Sequence, residues 1–283
     1  MFLYLNTIKI WIGFFILVFG IEAVSQTDST NTDLNVWQIL KGDTKDFLLG
    51  SKQSLTQPLR WKKKDFITLG SVVSGTSILY VFDYELRDFF LKQDKNAPNI
   101  LKEFGFYYGS PQNFFIVSGG IYGVGLLTNN EKIRKTAVLI ITSAAVSGLI
   151  QSVTKTVIGR ARPSNGADKF DFDFFSNEAG YHSLPSGHTV LTFSMAHSIA
   201  KQFESVWVKA GIYGLASIPP ISRLWADAHW FTDVALGAVI SIAVVDSVDK
   251  FLFKEEKVAY SHKNKLNWQL QLGVNTVGII GTF

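Results

Sequence analysis

Residues 137–163 read AVLIITSAAVSGLIQSVTKTVIGRARP. The apolar run from Ala137 to Val157 lacks strand-like alternation and is too long for an ordinary strand, so it predicts a helix. It ends in a basic cluster holding Lys155, Arg160 and Arg162, and Pro163 stops the regular structure. Lys155 and Arg162 are seven residues apart, which puts them on one helix face two turns apart. Alone, the cluster has two readings: a basic patch beside a membrane, or a pair of cations for an oxyanion. Arginine offers a planar fork of donors and lysine a point charge, and phosphate suits both.

Outward from this segment, five more apolar runs cover Phe66 to Phe82, Phe114 to Leu127, Val190 to Ala200, Val206 to Ile221 and Val234 to Val245. The expected fold class is all-α: a bundle of about six core helices, membrane-embedded, with its polar clusters at one end. Of the 283 residues 47% are hydrophobic and only 18% charged, more apolar than most soluble enzymes of this size. Glycines inside the runs fit close helix packing in lipid. If all six runs cross, the basic connections Arg60 to Lys64, Lys132 to Lys135 and Lys250 to Lys257 lie on the cytoplasmic side. Connections 83–113, 159–188 and 222–232 then face outward.

The termini are read separately. Lys9, the apolar stretch Ile10 to Ile21 and the small residues Ala23-Val24-Ser25 make 1–25 a signal peptide or an N-terminal anchor. A cleaved leader would leave residues 26–64 on the side opposite to the one the charges assign them. That stretch is an extension with a short amphipathic helix, from Leu34, Trp37, Ile39, Leu40, Phe47 and Leu48. The tail 253–283 alternates in places and is a candidate strand or hairpin.

There is no cysteine, which excludes disulfides, thiolate nucleophiles and Cys-based zinc sites. The net charge of +4 is spread over scattered lysines rather than one stripe, which gives no nucleic-acid footprint.

Two more polar clusters fall at the ends of apolar runs. Pro185-Ser186-Gly187-His188 precedes one helix; backbone N–H groups and the helix dipole favour an anion there. Ser186 adds a donor, and His188 could protonate a leaving oxygen. The plainer reading is helix capping. Ser222-Arg223 is followed by His229 and Asp233, four apart and so on one helix face. A carboxylate on one imidazole nitrogen fixes the tautomer and frees the other nitrogen for attack.

Lys155-x6-Arg162-Pro163, Pro185-Ser186-Gly187-His188 and Ser222-Arg223-x5-His229-x3-Asp233 occur in that order, intact. This joint pattern resembles the type 2 phosphatidic acid phosphatase and vanadium haloperoxidase superfamily, over about Phe66 to Phe251. Trp225-Ala226-Asp227-Ala228-His229-Trp230 looks more like its lipid phosphate phosphatase branch. The resemblance implies a catalytic domain over 65–252 that hydrolyses a lipid phosphate or pyrophosphate. His229 would be the nucleophile and form a phosphohistidine, oriented by Asp233, with His188 as acid and base. Lys155, Arg162, Ser186, Gly187 and Arg223 would hold the phosphate. It implies no metal or other cofactor, a lipid phosphate substrate, the membrane as partner, no nucleic acid and no obligatory protein partner. A site facing the periplasm or exterior of a bacterial-type envelope is expected. A secreted broad-specificity acid phosphatase and a vanadate-dependent haloperoxidase are the alternatives.

Outside the motif, Arg160 is read as a solvated cation, His182 as a loop residue and His197 as a satisfied core histidine. Phe170 to Phe175 is either an aromatic loop packed on the bundle or a lid, or lipid-interface anchor, over the site.

Overall fold

The computed structural model describes residues 35–253, 267–273 and 276–282; the leader at 1–25 lies outside them. Nine α-helices are found among these residues: α1 Val36–Leu55, α2 Lys63–Val81, α3 Asp83–Asp94, α4 Asn99–Tyr108, α5 Pro111–Leu127, α6 Glu131–Ile158, α7 Gly187–Ala200, α8 Val206–Trp225 and α9 Phe231–Leu252. The tail forms an antiparallel hairpin, β1 Asn267–Gly273 with β2 Thr276–Thr282, registered from Asn267 opposite Thr282 to Gly273 opposite Thr276.

Each apolar run becomes a helix with local start and stop signals. The Asn130 side chain caps α6 by accepting from Ile133 N at 3.0 Å. Gly159 ends α6 with a left-handed φ of 55°. A Cβ at Gly159 would lie 1.6 Å from the Asp173 carbonyl oxygen, so only glycine lets the loop dock there. Asn35 and Gln38 form a reciprocal cap on α1. That helix runs for 20 residues, longer than the short element expected, and packs on α6 and α9.

Helix α6 is the axis, touching α1, α5, α7 and α9. One core cluster joins Tyr108, Phe114, Ile140, Met195 and Ile212 from α4 to α8. The other joins Leu139 and Val146 of α6 to Val244, Val245 and Val248 of α9. Between the helices lie fully buried small polar residues, among them Thr142, Ser143, Ser147, Ser194 and Ser241. Large apolar side chains instead point outward: Phe66, Ile67 and Val73 of α2, Phe115 and Ile116 of α5, Leu149 and Val153 of α6. Small residues inside and bulky ones outside is the arrangement of helices packed in lipid.

The six apolar runs become helices of the expected bundle, but not all of them have the length and composition of a membrane span. Among the described residues, only α6 and α9 are by length and composition long and apolar enough to cross a membrane, or up to three spans if the bent pair α2–α3 is one. The reason is length and polarity. Helix α7 has 14 residues, about 21 Å at a 1.5 Å rise, against a hydrocarbon core of about 30 Å. The stretch 83–113, read as a connection, holds two further helices. α2 and α3 meet at 63°, and this bend turns Asp83 into the protein.

Where α5 turns into α6, a Cβ on Gly125 would lie 2.5 Å from the Arg134 backbone nitrogen, whereas one on Gly120 meets nothing within 4 Å. Gly125→Ala should therefore lose about 1–3 kcal/mol by overpacking, and Gly120→Ala should change stability by less than about 0.5 kcal/mol. Thermal melts in detergent compare the two. Equal melting points would show that the α5–α6 crossing yields without cost.

Candidate active site

The polar clusters meet at the C-terminal end of α6, around one buried carboxylate. Asp233, in the first turn of α9, is fully buried. Its Oδ2 accepts from Trp230 N at 2.9 Å, which caps the helix, and from Ser183 Oγ at 2.5 Å. Its Oδ1 accepts from Arg160 Nη1 at 2.7 Å. The Asp233 backbone carbonyl accepts from Ser186 N at 3.0 Å, which joins α9 to the start of α7.

Arg160 overturns its reading as a solvated cation. It is 1% exposed and links two carboxylates, with Nη2 donating to Asp83 Oδ2 at 2.7 Å. Nη1 also donates to Thr232 Oγ1 at 2.7 Å. Asp83 in turn accepts from Thr232 N at 3.0 Å and from Thr232 Oγ1 at 2.6 Å. The guanidinium sits over the rings of Tyr80 and Trp230, 4.8 and 5.3 Å from their centroids. Lone buried charges are costly, so each member of this chain needs the others. Sequence spacing could not reveal it, because Asp83 comes from a separate helix 77 residues before Arg160.

His229 is 5% exposed, with Nδ1 3.7 Å from Asp233 Oδ2. That is beyond a hydrogen bond but close enough for the carboxylate's field to act on the ring. Burial pushes the imidazole down to about 4; Asp233 opposes this, and the cations Lys155 and Arg162 add to it. The loop carrying His229 is braced from outside. Asp227, at a left-handed φ of 53°, takes a two-pronged bond from Arg87 of α3, at 2.7 and 2.6 Å. Arg87 and Asp83 are four apart, so α3 holds this end of the bundle with one face.

Lys155 and Arg162 converge as expected. Lys155 Nζ and Arg162 Nη2 both donate to the His182 carbonyl, the latter at 3.3 Å. Arg162 Nη1 donates to the Ala228 carbonyl at 3.2 Å, beside His229. Ser186 is the N-cap residue of α7, but its Oγ makes no capping bond. That hydroxyl is buried without a protein partner, as are Arg223 Nε and His229 Nδ1. Buried polar atoms are rarely left unbonded, so Ser186 Oγ and Arg223 Nε suit a polar ligand, while His229 Nδ1 faces Asp233. Gly187 opens α7; a Cβ there would lie 2.8 Å from Gln151 Nε2.

His188 lies on the other side of the cradle. Its Nε2 is 3.2 Å from the Phe106 carbonyl, and Arg223 stacks 5.4 Å from the Phe106 ring centroid. Burial, then Arg223 and His229, push this imidazole down to about 4 as well. Gly109 permits the fit, since a Cβ there would lie 2.5 Å from His188 Cδ2. His182 bonds Ser176 O at 2.9 Å through its ring. His197 contacts Tyr213 and Asp246, the partners of a satisfied interior histidine. In the aromatic loop, Phe172 and Phe174 stack at 6.3 Å and Phe170 meets Tyr80 of α2 edge-on at 5.5 Å, while Phe170, Phe174 and Phe175 keep much of their surface exposed.

Every residue named from the motif thus gathers at one end, and Asp83, Arg87, Arg160, Ser183 and Thr232 join them. Residues 136–255, which supply the cations, both histidines and Asp233, match the model of the PAP2 superfamily. Over that stretch the chain is similar to the PAP2 superfamily. It is 29% identical over 216 residues to a lipid A 1-phosphatase of Rhizobium johnstonii, covering 70% of this chain and 85% of that one. A lipid A 1-phosphatase of Rhizobium etli is 26% identical over 196 residues, covering 64% and 80%. A crystal structure of LpxE from Aquifex aeolicus aligns with 57% of this chain and 93% of its own, at 22% identity and a TM-score of 0.43.

Removing the guanidinium tests the buried chain. Arg160→Ala would strand two carboxylates in the interior and should cost about 3–5 kcal/mol. Chemical denaturation of the detergent-solubilised protein measures it. A loss under 1 kcal/mol would show that Asp83 and Asp233 are satisfied without Arg160.

Proposed function

We propose that this protein hydrolyses a lipid phosphate monoester by attack of His229 on phosphorus, without a metal ion. The observation that carries the reading is the gathering of Lys155, Arg162, Arg223, Ser186, two histidines and Asp233 around one small space. The lipid A 1-phosphatases among its relatives favour a phosphate on a bacterial glycolipid as substrate.

In this reaction Lys155, Arg162 and Arg223, with Ser186 Oγ and the Gly187 N–H, hold the equatorial oxygens. Their positive charge stabilises the phosphoryl group as it transfers. Asp233, fixed by Arg160, Ser183 and Trp230 N, orients His229 and stabilises the cationic ring that forms. The nitrogen of His229 turned from Asp233 forms a bond to phosphorus as the bond to the leaving oxygen breaks. His188 passes a proton to that oxygen. It then takes one from a water molecule, which attacks phosphorus and releases phosphate and His229. Three cations supply the charge neutralisation that a divalent ion supplies elsewhere. The same cations make the site a poor cage for such an ion.

Orientation follows from charge. The N-terminal end of α6 carries Lys132, Arg134 and Lys135, and α9 runs down to Lys250. The positive-inside rule puts those ends in the cytoplasm and the site on the periplasmic face. Exposed Phe170, Phe174 and Phe175 then suit the membrane interface beside it.

Phosphate release from a panel of lipid phosphates tests the mechanism. His229→Ala should abolish turnover, with a ³²P-labelled substrate labelling the wild type but not the variant, and chelators should leave the rate unchanged. Full activity in His229→Ala, or its loss on chelation, would refute the reading.

The pH profile gives a second check. Both imidazoles are neutral above about pH 4 in the free protein, so His229 can attack but His188 has no proton to give. The proton must arrive with the substrate, whose second phosphate ionisation lies at about 6. Hence kcat/KM should rise above about pH 4 and fall above about pH 6. An acid limb near 6.5 would show that substrate-free His229 is not held down by burial.

A further inference from the structure

The middle of the bundle holds a second set of buried polar atoms, apart from the cradle. Helix α6 is apolar for most of its length, yet Ser143, Ser147, Gln151 and Lys155 recur at every fourth residue. They lie along one ridge of the helix, and that ridge ends at the cradle. Ser143 and Ser147 are fully buried, and their hydroxyls meet no protein partner. Ser194 of α7 is fully buried and unpartnered in the same way.

Helix register brings these three hydroxyls to one level. A Cβ on Gly187 would lie 2.8 Å from Gln151 Nε2, which sets the start of α7 against Gln151. Helix α6 ends at the site and α7 begins there, so the two run antiparallel. Seven residues on from Gly187, on the same face of α7, is Ser194. Seven residues back from Gln151 is Ala144, a level that Ser143 and Ser147 bracket. Ala144 and Met195 share one core cluster, as this register requires.

A helical hydroxyl is commonly satisfied by the carbonyl four residues back, and this bundle uses that bond freely. Thr136 and Thr154 of α6 donate to Lys132 O and Ile150 O, and Ser198 of α7 donates to Ser194 O, all at 2.7 Å. Ser143, Ser147 and Ser194 make no such bond. For Ser194 the carbonyl in question belongs to Val190, and it already accepts from Ser241 Oγ of α9 at 3.0 Å. An unbonded hydroxyl in the interior is costly, so three at one level call for a shared partner. These side chains carry no charge, which suits neither a metal ion nor a phosphate. Neutral hydroxyls that both donate and accept match water, which makes about three hydrogen bonds when buried.

We propose that Ser143, Ser147 and Ser194 bind a buried water between α6 and α7, at the inner end of the polar ridge that starts from Lys155. The site stands on helix packing and is independent of the reaction in the cradle.

Melting of the full chain in detergent tests this through a sign. Deleting a hydroxyl that has no partner removes a cost and raises the melting temperature, whereas deleting one that holds a water lowers it. Ser147→Ala and Ser194→Ala should each lower it by about 2–4 °C. The double variant should lose less than the sum of the two, because each single variant strands the hydroxyl left behind. A rise or no change in either single variant, or losses that simply add, would overturn the proposal. A density map that resolves waters reads the site directly. The expected result is a water about 2.8 Å from all three hydroxyls. Hydroxyls turned back onto their own helix carbonyls, with nothing between them, would overturn it.

Discussion

Arg160 and Asp233 form a buried ion pair on which the other site contacts depend. Neither charge could remain in that interior alone, and the pair holds together only because Asp83, Thr232 and Ser183 complete its hydrogen bonds. Three stretches distant in sequence are fixed by it: the bend before α3, the loop after α6 and the start of α9. Once Asp233 is held, Ser186 is held through the Asp233 carbonyl, and His229 has a fixed carboxylate to face. Rigid support behind reacting groups is what keeps them within catalytic tolerance.

The same interior is buried and lined by cations. Burial and neighbouring cations hold both histidines neutral well below their ordinary range. A neutral imidazole is a nucleophile, and a cationic one is not. On the proposed reading, a phosphate monoanion entering such a space is met by three cations. The charges around Asp233 gather at one end of the bundle, and a second buried ion pair, Asp43 with Arg134, lies at the other end of α6. The rest is closed by small residues between helices and bulky apolar ones outside.

Much of this was legible in the sequence. Lys155, Arg162, Ser186, His188, Arg223, His229 and Asp233 follow from motif spacing, because each cluster sits at a helix end where local geometry dictates direction. The helices follow from uninterrupted apolar runs. What stayed hidden depends on long-range packing. Arg160 reads like any loop arginine until Asp83 is brought to it by the bend at Phe82. α3 and α4 have mixed polarity because they lie against the end of the bundle, so they blend into a connection. The number of spans stayed open, since an apolar run shows that a helix is buried but not whether lipid or protein buries it.

Helix α3 carries Asp83, Arg87 and Asp94 at its first, fifth and last positions, a single face of a 12-residue rod about 18 Å long. One inserted or deleted residue would swing one end of that rod by about 100° relative to the other. Asp83 could then stay with Arg160, or Asp94 with Lys102 of α4, 2.6 Å away, but not both. The length of α3 is thus under a stricter constraint than most of its side chains. A substitution along that helix disturbs one contact at a time, whereas a change in its residue count disturbs both ends at once.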